Sequence, residues 1–429
     1  MVNLALSSMC TVPMLSSSTF SSSSRYASSV MSCPCVTSVV LGSLNASSSS
    51  SSAALCSSVA QVIDSTSSIT SSVAAIIQAF TRLSLSSLSS EPVVTNDYCV
   101  EVGRAYWFGR DIEQSYVQAL RWLRPAAEQG HAEAQYALGC AYWYEQGIEQ
   151  SYANAVPWLR RAAEQGYADA QYALGEAYWF GRGIEQSYAE AMVLYRRAAE
   201  QGNVEAQHVL GLAYLNGQGI KRSHAKAVKW FERAAEQGSA EAQHELGCAY
   251  WYGQGVAKSD VEAVTWFGAA AKQGYADAQY ALGNAYWYGQ GVTRSDIEAV
   301  AWYGCAAEQG YADAQYALGD AYWYGQGIEQ SYANAVVRYR QAAEQGHAEA
   351  QYALGDAYRC GQGIPQSFVA AVSWYEQAAE QNHADAQLEL GKLYQTGGDG
   401  VAEHSGRATY WLRRAALQGN TAACDLLRV

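Results

Sequence analysis

The sequence predicts an all-α protein: an α-solenoid of nine two-helix repeats of 36 residues, preceded by a disordered Ser-rich region. Three observations carry this. Leu-Gly recurs at 138–139, 174–175, 210–211, 246–247, 282–283, 318–319, 354–355 and 390–391, with Val102-Gly103 one period earlier. Each period holds two stretches suited to helix, separated by a Gly-rich turn. Composition also changes abruptly near residue 90. A fixed period of about 20–50 residues denotes stacked supersecondary units, so function belongs to a continuous surface more than to a pocket.

About a third of residues 1–90 are Ser, with one acid (Asp64), two Arg (Arg25, Arg82) and no Trp. Such a stretch buries too little to fold, and disorder is the expectation. Val73, Ile76, Ile77, Phe80 and Leu83 have helical apolar spacing, which suits a frayed helix capping the stack. Met1–Leu6 lacks a basic start, so a secretory signal fits poorly, and two Arg make an organelle transit peptide a weak match.

Residues 91–429 hold all thirteen Trp and carry 25 basic and 39 acidic residues, a net charge of −14. That field disfavours nucleic acid and anionic membranes and favours basic partners. No apolar run reaches the roughly 18 residues that span a bilayer. The ten Cys show no disulfide framework. Cys140 and Cys248 share a register but stand three units apart. Reduced thiols favour an intracellular, cytoplasmic setting.

Units begin near residues 96, 132, 168, 204, 240, 276, 312, 348 and 384, with a partial tenth helix over 421–429, giving a solenoid domain at 91–429. Ala132–Tyr167 serves as the template, positions 1 to 36. Its first half, rich in Ala and free of Pro, suits a helix. A turn with Gly at 147, 183, 219, 255, 291, 327 and 363 follows. Position 20 is Ser in every unit, placed to accept from the amides that open the second helix. Ser187/Glu190, Ser259/Glu262 and Ser295/Glu298 have capping-box spacing. The second helix stops at Gln-Gly, as at Gly166. Pro125 and Pro157 fall inside second helices, where local kinks are expected.

Ala132, Ala134, Leu138, Gly139, Tyr142, Gly147, Ile148, Ala155, Trp158, Ala162, Ala163 and Gly166 together resemble the Sel-one-like repeat, a branch of the tetratricopeptide-repeat superfamily. Ser at position 20 departs from the family's usual Asp and keeps the cap. The resemblance implies a right-handed superhelix that serves as adaptor or scaffold, with the far side of the first helix lining a concave groove.

At about 100° per residue, positions 3, 10, 11 and 14 share the side of Leu138 (position 7), and positions 2, 5, 9, 12 and 13 oppose it. The thirteen Trp fall in two registers. Seven, including Trp158, Trp230 and Trp411, hold the second-helix position that the family uses for core packing. Six (Trp107, Trp143, Trp179, Trp251, Trp287, Trp323) hold position 12. Position 5 supplies Tyr136, Tyr172, Tyr280, Tyr316 and Tyr352. Position 9 varies most, with Glu176, Asn284, Asp320 and Asp356 among its occupants.

Two rigid aromatic rows around a varied residue suit recognition of an extended peptide. These fourteen candidates are Tyr136, Trp143, Tyr172, Glu176, Trp179, Trp251, Tyr280, Asn284, Trp287, Tyr316, Asp320, Trp323, Tyr352 and Asp356. The bland alternative is that the rings fill gaps between units.

Other chemistry is poorly supported. His208, His244 and Cys248 lack a fourth ligand for zinc, so no metal or other cofactor is expected. The repeated G-x-G joins two helices and reads as turn chemistry. No nucleophile set recurs, so the primary reading is a non-enzymatic scaffold for protein segments. A carbohydrate site on the aromatic rows is the alternative. A hydrolase of the penicillin-binding, cysteine-rich repeat type lacks its paired cysteines here. End-to-end self-association through the last helix is a further expectation.

Overall fold

The structure is a computed structural model that describes residues 96–110 and 112–427. The Ser-rich region and the Val73–Leu83 segment lie outside the described residues. Nineteen helices are present among the described residues. The first helices of the units are α1 (Asn96–Phe108), α3 (Ala132–Tyr144), α5 (Ala168–Phe180), α7 (Val204–Asn216), α9 (Ala240–Tyr252), α11 (Ala276–Tyr288), α13 (Ala312–Tyr324), α15 (Ala348–Cys360) and α17 (Ala384–Thr396). The second helices are α2 (Tyr116–Glu128), α4 (Tyr152–Glu164), α6 (Tyr188–Glu200), α8 (His224–Glu236), α10 (Asp260–Lys272), α12 (Asp296–Glu308), α14 (Tyr332–Glu344), α16 (Phe368–Glu380) and α18 (Ser405–Leu417). The short α19 (Thr421–Leu426) follows. By backbone contacts, Arg104–Gln114 belongs to one unit, and Thr95–Gly103 with Ser115–Val429 makes the other. The packing described next is that of the second.

Local signals act as the sequence predicts. The Ser151 hydroxyl accepts from the Asn154 amide at 3.3 Å, and Ser187, Ser259, Ser295 and Ser331 do the same for their helices. Ser223 has the same backbone but makes no side-chain cap bond. First helices α5 to α15 end on a glycine with φ between 66° and 74°, the left-handed stop that glycine adopts freely. Helices α2 and α4 continue through Pro125 and Pro157, and both prolines are exposed.

Within a unit, the two helices meet at the Leu-Gly glycine. A Cβ on Gly175 would lie 2.7 Å from the Tyr195 ring, and one on Gly283 would lie 2.6 Å from the Tyr303 ring. The same position of the second helix is Leu159, Phe231, Phe267, Tyr339 or Tyr375 elsewhere, each buried. Here the structure bears out the core expectation for Trp411, which is buried, and corrects it for the other second-helix tryptophans. The residue after each Trp fills the core, while Trp158, Trp230, Trp266, Trp302 and Trp374 stay half-buried at its margin.

Between units, the apolar clusters continue and a buried polar link recurs beside them. Gln135, Gln171, Gln207, Gln243, Gln279, Gln315, Gln351 and Gln387, at position 4, are all buried. Gln135 Nε2 donates to the Ala127 carbonyl of the preceding second helix at 3.0 Å, while its Oε1 accepts from Gln165 of its own unit at 2.8 Å. The arrangement recurs through Gln387, which donates to Ala379 at 2.9 Å and accepts from Gln418 at 2.8 Å. At that register α1 carries Cys99 and α19 carries Cys424, both free thiols.

Two glycine substitutions separate close approach from mere occupancy. Gly283→Ala should lose about 1–2 kcal/mol, because overpacking against the Tyr303 ring outweighs the better helix propensity. Gly304→Ala, whose Cβ meets nothing within 4 Å, should gain about 0.8 kcal/mol. Chemical denaturation of the two variants measures both.

Candidate interaction surface

The position-12 tryptophans turn toward the second helix of their own unit. Trp143 meets Tyr152 edge-on at 4.8 Å, and Trp179 and Trp323 meet Tyr188 and Tyr332 in the same way. Trp251, Trp287 and Trp323 also contact Phe267, Tyr303 and Tyr339 at 5.8–6.1 Å. An isolated helix points these indoles outward, but the hairpin partner folds over them. They join the two helices of one unit.

Position 5 packs likewise. Tyr172, Tyr280, Tyr316 and Tyr352 lie 5.7–5.9 Å from Tyr195, Tyr303, Tyr339 and Tyr375. Tyr136 and Tyr280 touch Tyr167 and Tyr311, and Tyr316 and Tyr352 stack on His347 and His383. His208 and His244 fill the same slot against Phe231 and Phe267. Burial depresses both imidazoles, His208 to about 4, which keeps it neutral. Among the described residues, no three His, Cys, Asp or Glu side chains are arranged to hold a metal ion.

Position 9 has an internal explanation. Asn284, Asp320 and Asp356 accept from the hydroxyls of Tyr303, Tyr339 and Tyr375 at 2.6–2.7 Å. Glu176 accepts from Tyr172 at 3.2 Å and faces Tyr195. Where the second helix offers Leu159, Phe231 or Phe267, with no hydroxyl to satisfy, position 9 is Cys140, Leu212 or Cys248. The variation thus follows the residue across the hairpin. Arg104 and Lys392, each nineteen or twenty residues before a leucine, are exceptions, and Lys392 pairs with Glu389 at 2.6 Å.

The sequence reading passed over the exposed row beside these. Positions 2, 6, 9 and 13 lie within about 60° of one another on the first helix. Position 13 presents Tyr252, Tyr288 and Tyr324 at 68%, 67% and 64% exposure, with Tyr144 and Phe180 less open. Position 2 is Asp or Glu in all nine first helices. These helices carry fifteen carboxylates against three bases (Arg104, Arg359, Lys392), a net −12 of the chain's −13. Arg359 is itself held by Asp356 at 3.0 Å. Burial pushes the Glu176 and Glu245 carboxyls up to about 7, opposed at Glu176 by the Tyr172 hydrogen bond and reinforced at Glu245 by Asp277.

The Sel1 repeat family matches nine consecutive segments, from 97–131 through 384–420, each about one period long. The chain belongs to the Sel1 repeat family. A protective antigen of uropathogenic Escherichia coli with an SLR fold is similar at 39% identity and TM-score 0.67, over 71% of this chain and 65% of that one. This chain therefore spans somewhat less than two thirds of the antigen's length. A Sel1 repeat protein from Oxalobacter formigenes is similar at 34% identity and TM-score 0.57, over 80% of this chain and 98% of that one. No curated protein matches the chain. Sel1 solenoids are typical of protein–protein interaction scaffolds, and no helix among the described residues is long and apolar enough to cross a membrane.

Two predictions follow from position 9. Asp320→Leu should cost about 2 kcal/mol by stranding the Tyr339 hydroxyl, and adding Tyr339→Phe should recover most of it; a double-mutant cycle reads the coupling. Glu176 binds its proton up to about pH 7 when folded but only to the ordinary carboxylate range when unfolded. Between those values the folded state holds more protons, so stability falls as pH rises and levels above 7. Glu176→Gln should match the parent at pH 4 and exceed it at pH 8 in denaturation midpoint.

Proposed function

We propose that the protein is a non-enzymatic scaffold that holds basic, extended protein segments along its first-helix face. The observation that carries this is the sorting of charge: nearly all of the net negative charge sits on the first helices. Fields of one sign steer and select oppositely charged partners. The exposed rings of Tyr252, Tyr288 and Tyr324 supply rigid contact area at the end of the same stripe. Of the sequence candidates, the half-buried Tyr172, Glu176, Tyr280, Asn284, Tyr316, Asp320, Tyr352 and Asp356 shape that stripe from beneath. Trp143, Trp179, Trp251, Trp287 and Trp323 act through the hairpin they hold together. Carbohydrate stacking needs an open ring face, which these indoles have largely given to second-helix rings.

A peptide array probed with the full chain tests the reading. Bound peptides should be enriched in Lys and Arg, and binding should weaken with salt. The exposed triple variant Tyr252→Ser/Tyr288→Ser/Tyr324→Ser should keep its helical circular dichroism and lose at least about tenfold in affinity. Unchanged affinity, or no basic enrichment, sinks it.

A further inference from the structure

The second helices of the second to fourth units carry charge of the opposite kind. Arg160, Arg161, Arg196, Arg197, Lys229 and Arg233 are all exposed. None has a carboxylate within 4 Å among the described residues, and each lies in a chain whose net charge is −13. Arg160 faces Glu164 across one helical turn, but that order of charges gives little attraction along a helix, and the pair does not close. Arg161 and Arg233 instead lie over the half-buried indoles of Trp158 and Trp230, 4.7 and 4.6 Å from the ring centres. Cation–π stacking holds a guanidinium flat and leaves its N–H edge free to donate.

One register of the row is continuous across units. Gln171 ties the carboxyl end of α4 to that of α6, and Gln207 ties α6 to α8, so Arg161, Arg197 and Arg233 recur side by side, while Glu232 takes the register of Arg160 and Arg196 in the fourth unit. The same positions in the fifth and sixth units are Gly268-Ala269 and Gly304-Cys305, which ends the row.

We infer that this row is a second docking surface, separate from the first-helix face, and that it takes an acidic protein segment. Planar guanidinium groups match carboxylates in paired N–H···O bonds. Complementary charge selects the partner, and spacing excludes two other polyanions. Glu164, Glu200 and Glu236 recur at one position on the same helices, with Glu190 on α6 and Glu232 on α8 besides, so a phosphate backbone or a bilayer surface, charged without gaps, would meet them. A peptide can place its carboxylates at the arginines and leave those sites uncharged. The protein then bridges a basic segment on one face and an acidic one on the other.

The test uses the full chain and a fluorescein-labelled oligoglutamate peptide, read by anisotropy. The parent should bind, and Arg161→Gln/Arg197→Gln/Arg233→Gln should weaken binding at least about tenfold with circular dichroism unchanged. Arg338→Gln/Arg340→Gln, which removes like charge from the seventh unit, should bind as the parent does. The Tyr252/Tyr288/Tyr324 serine variant should also bind normally, which separates this surface from the proposed basic-segment site. No oligoglutamate binding, or equal loss in the seventh-unit variant, overturns the inference. So does tighter binding to oligo(dT) or to phosphatidylserine vesicles, or a dimer in light scattering that the arginine variant abolishes.

Discussion

A buried amide sets the geometry of the stack. Each position-4 glutamine gives its N–H to the preceding second helix and its oxygen to a glutamine of its own unit. An amide buried without both partners costs about 1–3 kcal/mol, so a unit that slides or rotates strands it. Apolar contacts alone, mostly Ala and Leu here, would tolerate small shifts. The Leu-Gly glycine acts on the other axis, bringing the hairpin partner to ring contact. Together they fix both neighbours of the first helices α3 to α17 and thereby the side left to solvent.

That exposed side explains how charge is sorted. A first helix lies between two second helices and keeps only a narrow stripe, which the chain fills with carboxylates and position-13 rings. A second helix has a wider free face, and the arginines collect there. The two faces stay distinct in part because Arg161 and Arg233 find indoles, and Arg160 a tyrosine hydroxyl, before any carboxylate.

The period, caps and turns were legible because each is a local signal repeated nine times. Gln135 and its equivalents were not. A polar residue some 60° from Leu138 reads as solvent-facing on a helix with one core, and only the second neighbour buries it. Trp251 and Tyr252 show the same limit. They are adjacent in sequence and both oppose Leu246 on a helical wheel, yet Phe267 of the hairpin partner receives one and leaves the other open. The rule at position 9 was readable without coordinates. Tyr195, Tyr303, Tyr339 and Tyr375 each stand nineteen residues after an acceptor, and Phe231 and Phe267 do not.

The repeated glutamine bond also bears on how such a chain changes length. Every interior junction presents one amide to one alanine carbonyl in the same arrangement. Removing or duplicating a whole 36-residue segment would therefore rejoin identical partners, whatever junction is cut. A cut displaced by a single residue would leave both groups buried and unmatched. Near-identical units are also the sequences most prone to recombine with one another in register. The stack is thus a structure whose unit number can drift in evolution while each junction stays the same, and its reach along a partner can drift with it.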